Sequence, residues 1–216
     1  MPKPRSKTVR KVPCKMHIYC EGEKTEPNYI QNYINNLDDN ALRKVVIIEH
    51  TKKNTPVQLV NTAIELKNSK NCPKGDVFWV VYDREAVGKY SDQLHDQAYT
   101  RAKSNDINIA ITNVCFEQWL ILHFISSEAA YTCYDDLINR SCLKSEFKKI
   151  SGKDYNKGCS EIYKHISEKI DKARERAKKI NAKILEAAIA GKTKPYHLSP
   201  YTDMPSLLDA IDSFEH

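Results

Sequence analysis

Residues 77–85 read Val-Phe-Trp-Val-Val-Tyr-Asp-Arg-Glu. The apolar run 77–82 is too short for a buried helix and is rich in β-branched and aromatic residues. That pattern is the strongest strand signal in the chain. It ends abruptly on Asp83, Arg84 and Glu85, so the strand delivers two carboxylates at its carboxyl end.

The segments on either side repeat the arrangement. Residues 16–20 (MHIYC) predict a strand that leaves through Glu21, Gly22, Glu23 and Lys24. Residues 45–48 and 107–111 predict two more. Helical spacing fills the intervals: Ile30, Tyr33, Ile34 and Leu37; then Val57, Val60 and Ile64; then Leu94, Ala98 and Ala102. Thr25, Thr55 and Ser91 stand where N-caps are expected, with Pro27 and Pro56 in first turns. Over 116–124, Phe116, Trp119, Leu120 and His123 share one helical face. Strands alternating with helices predict an α/β fold with a mainly parallel four-stranded sheet flanked by helices. Ligands of such sheets bind beyond the carboxyl ends of the strands.

The last third differs. Short helical pieces are expected over 128–158. Ile162, Ile166, Ile170, Ala173, Ala177, Ile180 and Ile184 then form one apolar stripe, predicting a single helix of about six turns starting at Ser160. Residues 195–200 read as a loop and 205–213 as a closing helix. The expected organisation is a basic arm at 1–14, an α/β core at 15–126 and a helical extension at 127–216 packed on the core.

The chain of 216 residues has 34 Lys and Arg against 28 Asp and Glu, a net charge of +6. Lys3, Arg5, Lys7, Arg10, Lys11 and Lys15 lie in the first 15 residues, where no acid occurs, and the rest is balanced. A second basic concentration, including Lys172, Arg174, Arg176 and Lys179, lies on the predicted long helix. It reads either as a solvated face or as a guide for a phosphate backbone. No apolar run approaches the roughly 18 residues of a membrane span, so no membrane insertion is expected. The basic start lacks the apolar stretch of a secretory signal. The 7 cysteines form no Cys-x-x-Cys pair and are expected to be reduced, which points to the cytoplasm. P-loop, Gly-x-Ser-x-Gly and dinucleotide fingerprints are absent, so NTP hydrolysis is not expected of this chain.

Two acidic groups fall at strand exits: Glu21 with Glu23, and Asp83 with Glu85. Glu117, just after the fourth strand, is a third candidate at the same edge. Clustered carboxylates raise one another's pKa unless a cation neutralises them. Hard oxygen ligands of this kind suit Mg²⁺, with Mn²⁺ as the alternative ion. Two apart on extended backbone, Asp83 and Glu85 are expected to point the same way and share an ion. On spacing alone, Glu21, Glu23 and Glu26 equally read as acids favourable to a helix N-terminus, and Asp83 and Glu85 as turn residues. His123, on the apolar stripe, reads as a core histidine.

Residues 18–27 (IYCEGEKTEP) resemble the strand–Glu-Gly–helix signature of the Toprim fold, and 78–85 resemble its strand ending in an Asp-x-Asp pair. More narrowly, EGEKTEPNY at 21–29, VCFEQWLILHF at 114–124 and SPYTDMPSLLDAI at 199–211 resemble the RloB-like family. That family is associated with abortive-infection defence against phage. The resemblance implies a metal-dependent nuclease acting on DNA or RNA, including tRNA, often encoded beside an ATPase partner; self-association is left open. Carried over, Glu21 matches the acid of the first motif, Asp83 and Glu85 the pair of the second, and Glu117 the acid of the third. Glu85 departs from the usual Asp. Glu21, Asp83 and Glu85 are thereby implied metal ligands and Glu21 also an acid–base group; Lys24 reads either as a phosphate contact or as solvated surface charge. A non-catalytic module that binds nucleic acid or the ATPase is the alternative expectation.

Overall fold

The computed structural model describes residues 12–215. The expected basic arm at 1–14 lies outside them except for its last three residues. In chain order the elements begin with β1 (Met16–Cys20), α1 (Thr25–Asn36), α2 (Leu42–Val45), β2 (Val46–Glu49) and α3 (Pro56–Lys67). They continue with β3 (Val77–Asp83), α4 (Asp92–Ser104), β4 (Asn108–Asn113) and α5 (Glu117–Leu122). The last third holds α6 (Tyr134–Arg140), α7 (Leu143–Ser151), α8 (Ile162–Ile166), α9 (Ile170–Glu186), β5 (Tyr201–Thr202) and α10 (Met204–Asp212).

The strands lie in the order β2-β1-β3-β4-β5. The first three pairings are parallel and β4–β5 is antiparallel. The sheet therefore has five strands, not the four expected. The fifth is only two residues long, too short to leave a period in the sequence. Its pairing places Thr202 opposite Thr112, and their hydroxyls hydrogen-bond at 2.9 Å.

The pleat explains the two apolar layers. On one face Met16, Ile18 and Cys20 of β1 and Trp79 and Val81 of β3 meet α1, α5 and the helices of the last third. On the other, Tyr19, Phe78, Val80 and Tyr82 meet α3 and α4. A helical layer on each face explains why the parallel strands carry apolar residues on both sides. The helical extension shares its core with the first face; Leu137, Phe147, Ile162 and Ala177 are fully buried there.

Thr55 and Ser91 cap α3 and α4, accepting from the Gln58 and Leu94 N–H groups. Thr25 does not cap α1. It is the first helical residue, and its hydroxyl accepts from the Gly158 N–H at 2.9 Å instead. The single long helix expected from Ser160 is also broken, by a 3-10 turn at Ser167–Lys169. Ile162, Tyr163 and Ile166 of α8 pack with α1, whereas Ala173, Ala177 and Ile180 of α9 pack with α5 and β5. One straight helix cannot serve both partners, so the chain bends between them.

In a sheet of this order the connections from β1 leave toward β2 on one side and reach β3 on the other. The crevice at that reversal, beyond the carboxyl ends of β1 and β3, is where ligands bind in doubly wound folds. Glu21 follows β1 directly, and Asp83 is the last residue of β3.

Candidate active site

Backbone pairing brings the acids together. The Glu21 N–H donates to the Val81 carbonyl at 2.9 Å, extending the β1–β3 ladder by one rung. The Asp83 N–H then donates to Glu21 Oε2 at 3.0 Å. Two residues 62 apart in sequence thus share one contact at the topological reversal.

Beyond Asp83 the chain stays beside β4. The Arg84 N–H donates to the Thr112 carbonyl and the Glu85 N–H to the Val114 carbonyl. Glu85 itself has φ of 58°, in the left-handed region. This overturns the extended geometry expected for the Asp83–Glu85 pair. The Glu85 carboxylate ion-pairs with Lys89 at 2.6 Å, yet its charge still acts on Glu21, Glu26 and Asp83. Arg84 is buried and occupied: it donates to the Tyr196 and Tyr90 carbonyls and to Asp92.

Two further carboxylates join from helix starts. Glu117 opens α5 and is fully buried. Its Oε1 accepts from the Tyr155 hydroxyl at 2.8 Å, while Oε2 is buried with no hydrogen-bond partner. Glu26, in the first turn of α1, is 4% exposed. A Cβ on Gly22 would lie 2.0 Å from Glu26 Oε2. The Glu-Gly of the first motif thus has a steric reason: only glycine leaves room for the carboxylate that curls back from the helix.

The electrostatics follow from this crowding. Burial, then the charges of Glu26, Glu117, Glu21 and Glu85, push the Asp83 carboxyl well above its ordinary range. Burial, with Glu117 and Glu85, raises Glu26. Glu21 is pushed up to about 7, burial outweighing its hydrogen bonds. The Tyr90 oxygen lies 3.0 Å from Glu21 Oε1 and 2.7 Å from the Asn54 carbonyl. Its one hydrogen serves one of them. With Glu21 protonated, Glu21 donates to Tyr90, Tyr90 donates to Asn54, and every group is satisfied.

Besides Lys89, a second cation stands near these acids. Burial alone would lower the Lys157 ammonium, but nearby charges, Glu117 and Asp83 first, hold it above its ordinary value. The Thr25–Gly158 hydrogen bond pins its loop to the start of α1. Sequence reasoning missed Glu26, Tyr90, Tyr155 and Lys157. The only signal was the glycine four residues before Glu26.

Among the described residues, no three His, Cys, Asp or Glu side chains already stand in an arrangement that grips a metal ion. The donor set nevertheless fits a hard divalent cation. It consists of carboxylate oxygens, one of them buried without a partner, and their charges oppose one another until a cation is added.

Other expected site residues fall elsewhere. Lys24 is exposed, and its stem lies against Gly158. Lys172 and Lys179 are exposed on α9. Arg174 and Arg176 are not free to meet a nucleic acid. Arg174 ion-pairs with Asp212 at 2.7 Å and bonds Tyr33, and Arg176 donates to the Leu122 carbonyl at 2.7 Å. These two guanidiniums tie α9 to the fold, a correction to the basic face expected from sequence. His123 is a satisfied core histidine: Nδ1 lies 3.1 Å from the Trp119 carbonyl and Nε2 3.0 Å from the Tyr29 hydroxyl. Burial lowers its pKa to about 3.

No helix among the described residues is long and apolar enough to cross a membrane. No curated protein and no solved structure matches the chain. The sequence model of the RloB-like protein family matches residues 16–211. Its span takes in the two strand-exit motifs, the α5 acid and the segment that forms β5, and the chain belongs to the RloB-like protein family.

Proposed function

We propose that the protein is a Mg²⁺-dependent nuclease that hydrolyses phosphodiester bonds of nucleic acid at the reversal between β1 and β3. The observation that carries this reading is the gathering of Glu21, Glu26, Asp83, Glu85 and Glu117 there, where burial and the neighbouring charges raise the pKa of Asp83, Glu26 and Glu21. Such a group is held at a cost unless it serves to bind positive charge.

Glu21, Asp83 and Glu85 would hold the metal, with Glu26 and Glu117 completing its oxygen surround. When bound, the ion supplies Lewis-acid stabilisation of the phosphoryl and leaving oxygens. The chain's own groups do the rest. Without the ion, Glu21 is pushed up to about 7 and can hold a proton at Oε1, where Tyr90 takes part; binding of the cation would favour its release. Lys157 offers a fixed positive charge to the phosphate. Tyr155 orients Glu117 through Oε1 and leaves Oε2 free. Lys24, Lys172 and Lys179 remain as exposed cations for the flanking backbone. An effector role in abortive infection, in the cytoplasm and beside an ATPase partner, belongs to the same proposal and is supported by family membership.

The test is incubation of the purified protein with labelled DNA, tRNA and total RNA in Mg²⁺, Mn²⁺ or EDTA, together with Asp83→Asn. Cleavage in Mg²⁺ that EDTA and Asp83→Asn abolish, with the variant folded by circular dichroism, is expected. Absence of cleavage on every substrate, with no cation-induced rise in Tm, leaves the non-catalytic module.

A further inference from the structure

A cleft of about 920 Å³ opens beside the acids, between the turn after β3 and the C-terminal end of α9. Its size is that of a site for a small organic ligand. Glu85 lines it, so the cleft is continuous with the acidic group. Its walls are mainly apolar and include Val114, Tyr131 and Ile184. Val87 and Ile189, 75% and 77% exposed, are the most exposed large apolar residues among those described, and both line this cleft. One exposed apolar side chain needs no explanation. Two, brought to one cleft from segments about a hundred residues apart, leave unpaired apolar surface suited to a flat, weakly polar occupant. Lys192 and Asp92, also in the lining, ion-pair with each other at 3.1 Å and leave the apolar walls as the distinguishing feature of the cleft.

A nucleobase has these properties, and a phosphodiester held at the acids brings its neighbouring base to Glu85. In a duplex that base is covered on both faces and paired at its edge; only an unpaired base can enter a side cleft. Resting on the nuclease reading, we infer that the cleft receives an unpaired base flanking the scissile phosphate. The substrate is then a single-stranded or looped nucleic acid.

The experiment measures fluorescence anisotropy of fluorescein-labelled oligonucleotides with the full-length Asp83→Asn protein in Mg²⁺, which binds without cutting. The probes are a single strand, a hairpin with an open loop and a blunt duplex of the same sequence, each as RNA and as DNA. The single strand or the loop should bind at least about tenfold tighter than the duplex. Adding Val87→Ser and Ile189→Ser, neutral changes at exposed positions, should weaken single-strand binding by about fivefold or more and leave duplex binding unchanged. Equal or tighter duplex binding, or a serine pair without effect, overturns the inference. The RNA and DNA arms decide which sugar is accepted. If these binding results hold while the unsubstituted protein cuts nothing, the nuclease reading fails and the cleft stands only as a site for an unpaired base. If it cuts but the binding results fail, the cleft assignment alone falls.

Discussion

Replacing Gly22 by alanine separates the steric argument for the Glu-Gly motif from any general effect on folding. Gly22 is not among the glycines with a left-handed backbone, so a side chain brings no conformational strain. The consequence is purely local: the new methyl carbon would lie 2.0 Å from Glu26 Oε2 and 2.6 Å from its carboxyl carbon. Ordinary contact needs about 3.5 Å, so the carboxylate must retreat by about 1.5 Å. Metal–ligand distances tolerate only about 0.2 Å, so this displacement would remove Glu26 from the proposed oxygen surround. Moving it away also relieves repulsion from Glu117 and Glu85, which holds the stability change within about 1 kcal/mol. Mn²⁺ titration followed by calorimetry should show affinity reduced at least about tenfold in Gly22→Ala. Glu26→Ala should show a similar loss, and the double variant should lose little more than either alone, because both changes delete the same ligand. Unimpaired Mn²⁺ binding by Gly22→Ala, or losses that multiply in the double variant, would refute the reasoning.

Tyr155→Phe deletes the donor to Glu117 Oε1 and leaves both oxygens of a buried carboxyl unpaired; denaturant unfolding in EDTA should show a loss of about 1–3 kcal/mol, smaller when Mg²⁺ is present. Asp203, raised by burial from 3.8 to about 6, binds more protons folded than unfolded in that interval, so its contribution to stability is present below about 4 and is lost as pH climbs to about 6. The ceiling is about 3 kcal/mol at 1.36 kcal/mol per pH unit, and unfolding of Asp203→Asn across pH 4–7 should show a flatter profile; an unchanged slope counts against it. Arg176→Ala should cost about 1–3 kcal/mol by releasing the Leu122 carbonyl, whereas Lys172→Ala should stay within about 0.5 kcal/mol. If Lys172 and Lys179 meet the nucleic-acid backbone, replacing either by alanine should lower the salt-dependence slope of binding by about one.

The parallel strands were readable because burial on both faces leaves long apolar runs. The acids at 21, 83 and 117 were readable because they end or follow those runs. Glu85 was legible as a residue but not as a geometry: its identity says nothing of the left-handed turn that sends its side chain to Lys89. Glu26 was hidden because an acid in a first helical turn is ordinary. Lys157 and Tyr155 were hidden because they reach the acids from a loop more than a hundred residues beyond α1. The break at Ser167–Lys169 escaped notice because the Ile and Ala spacing continues unbroken across it. Two partners on different sides impose the bend, and a one-dimensional period carries no record of that.

The Thr25–Gly158 and Glu117–Tyr155 hydrogen bonds have a practical bearing on dissection of the protein. A fragment stopped near residue 126 would keep every strand-exit acid, yet Glu117 would lose its tether and Lys157 would be gone. The first two thirds are therefore not a self-sufficient unit for the acidic site. A protease nick within 152–158 should loosen the acidic cluster while the sheet itself stays intact.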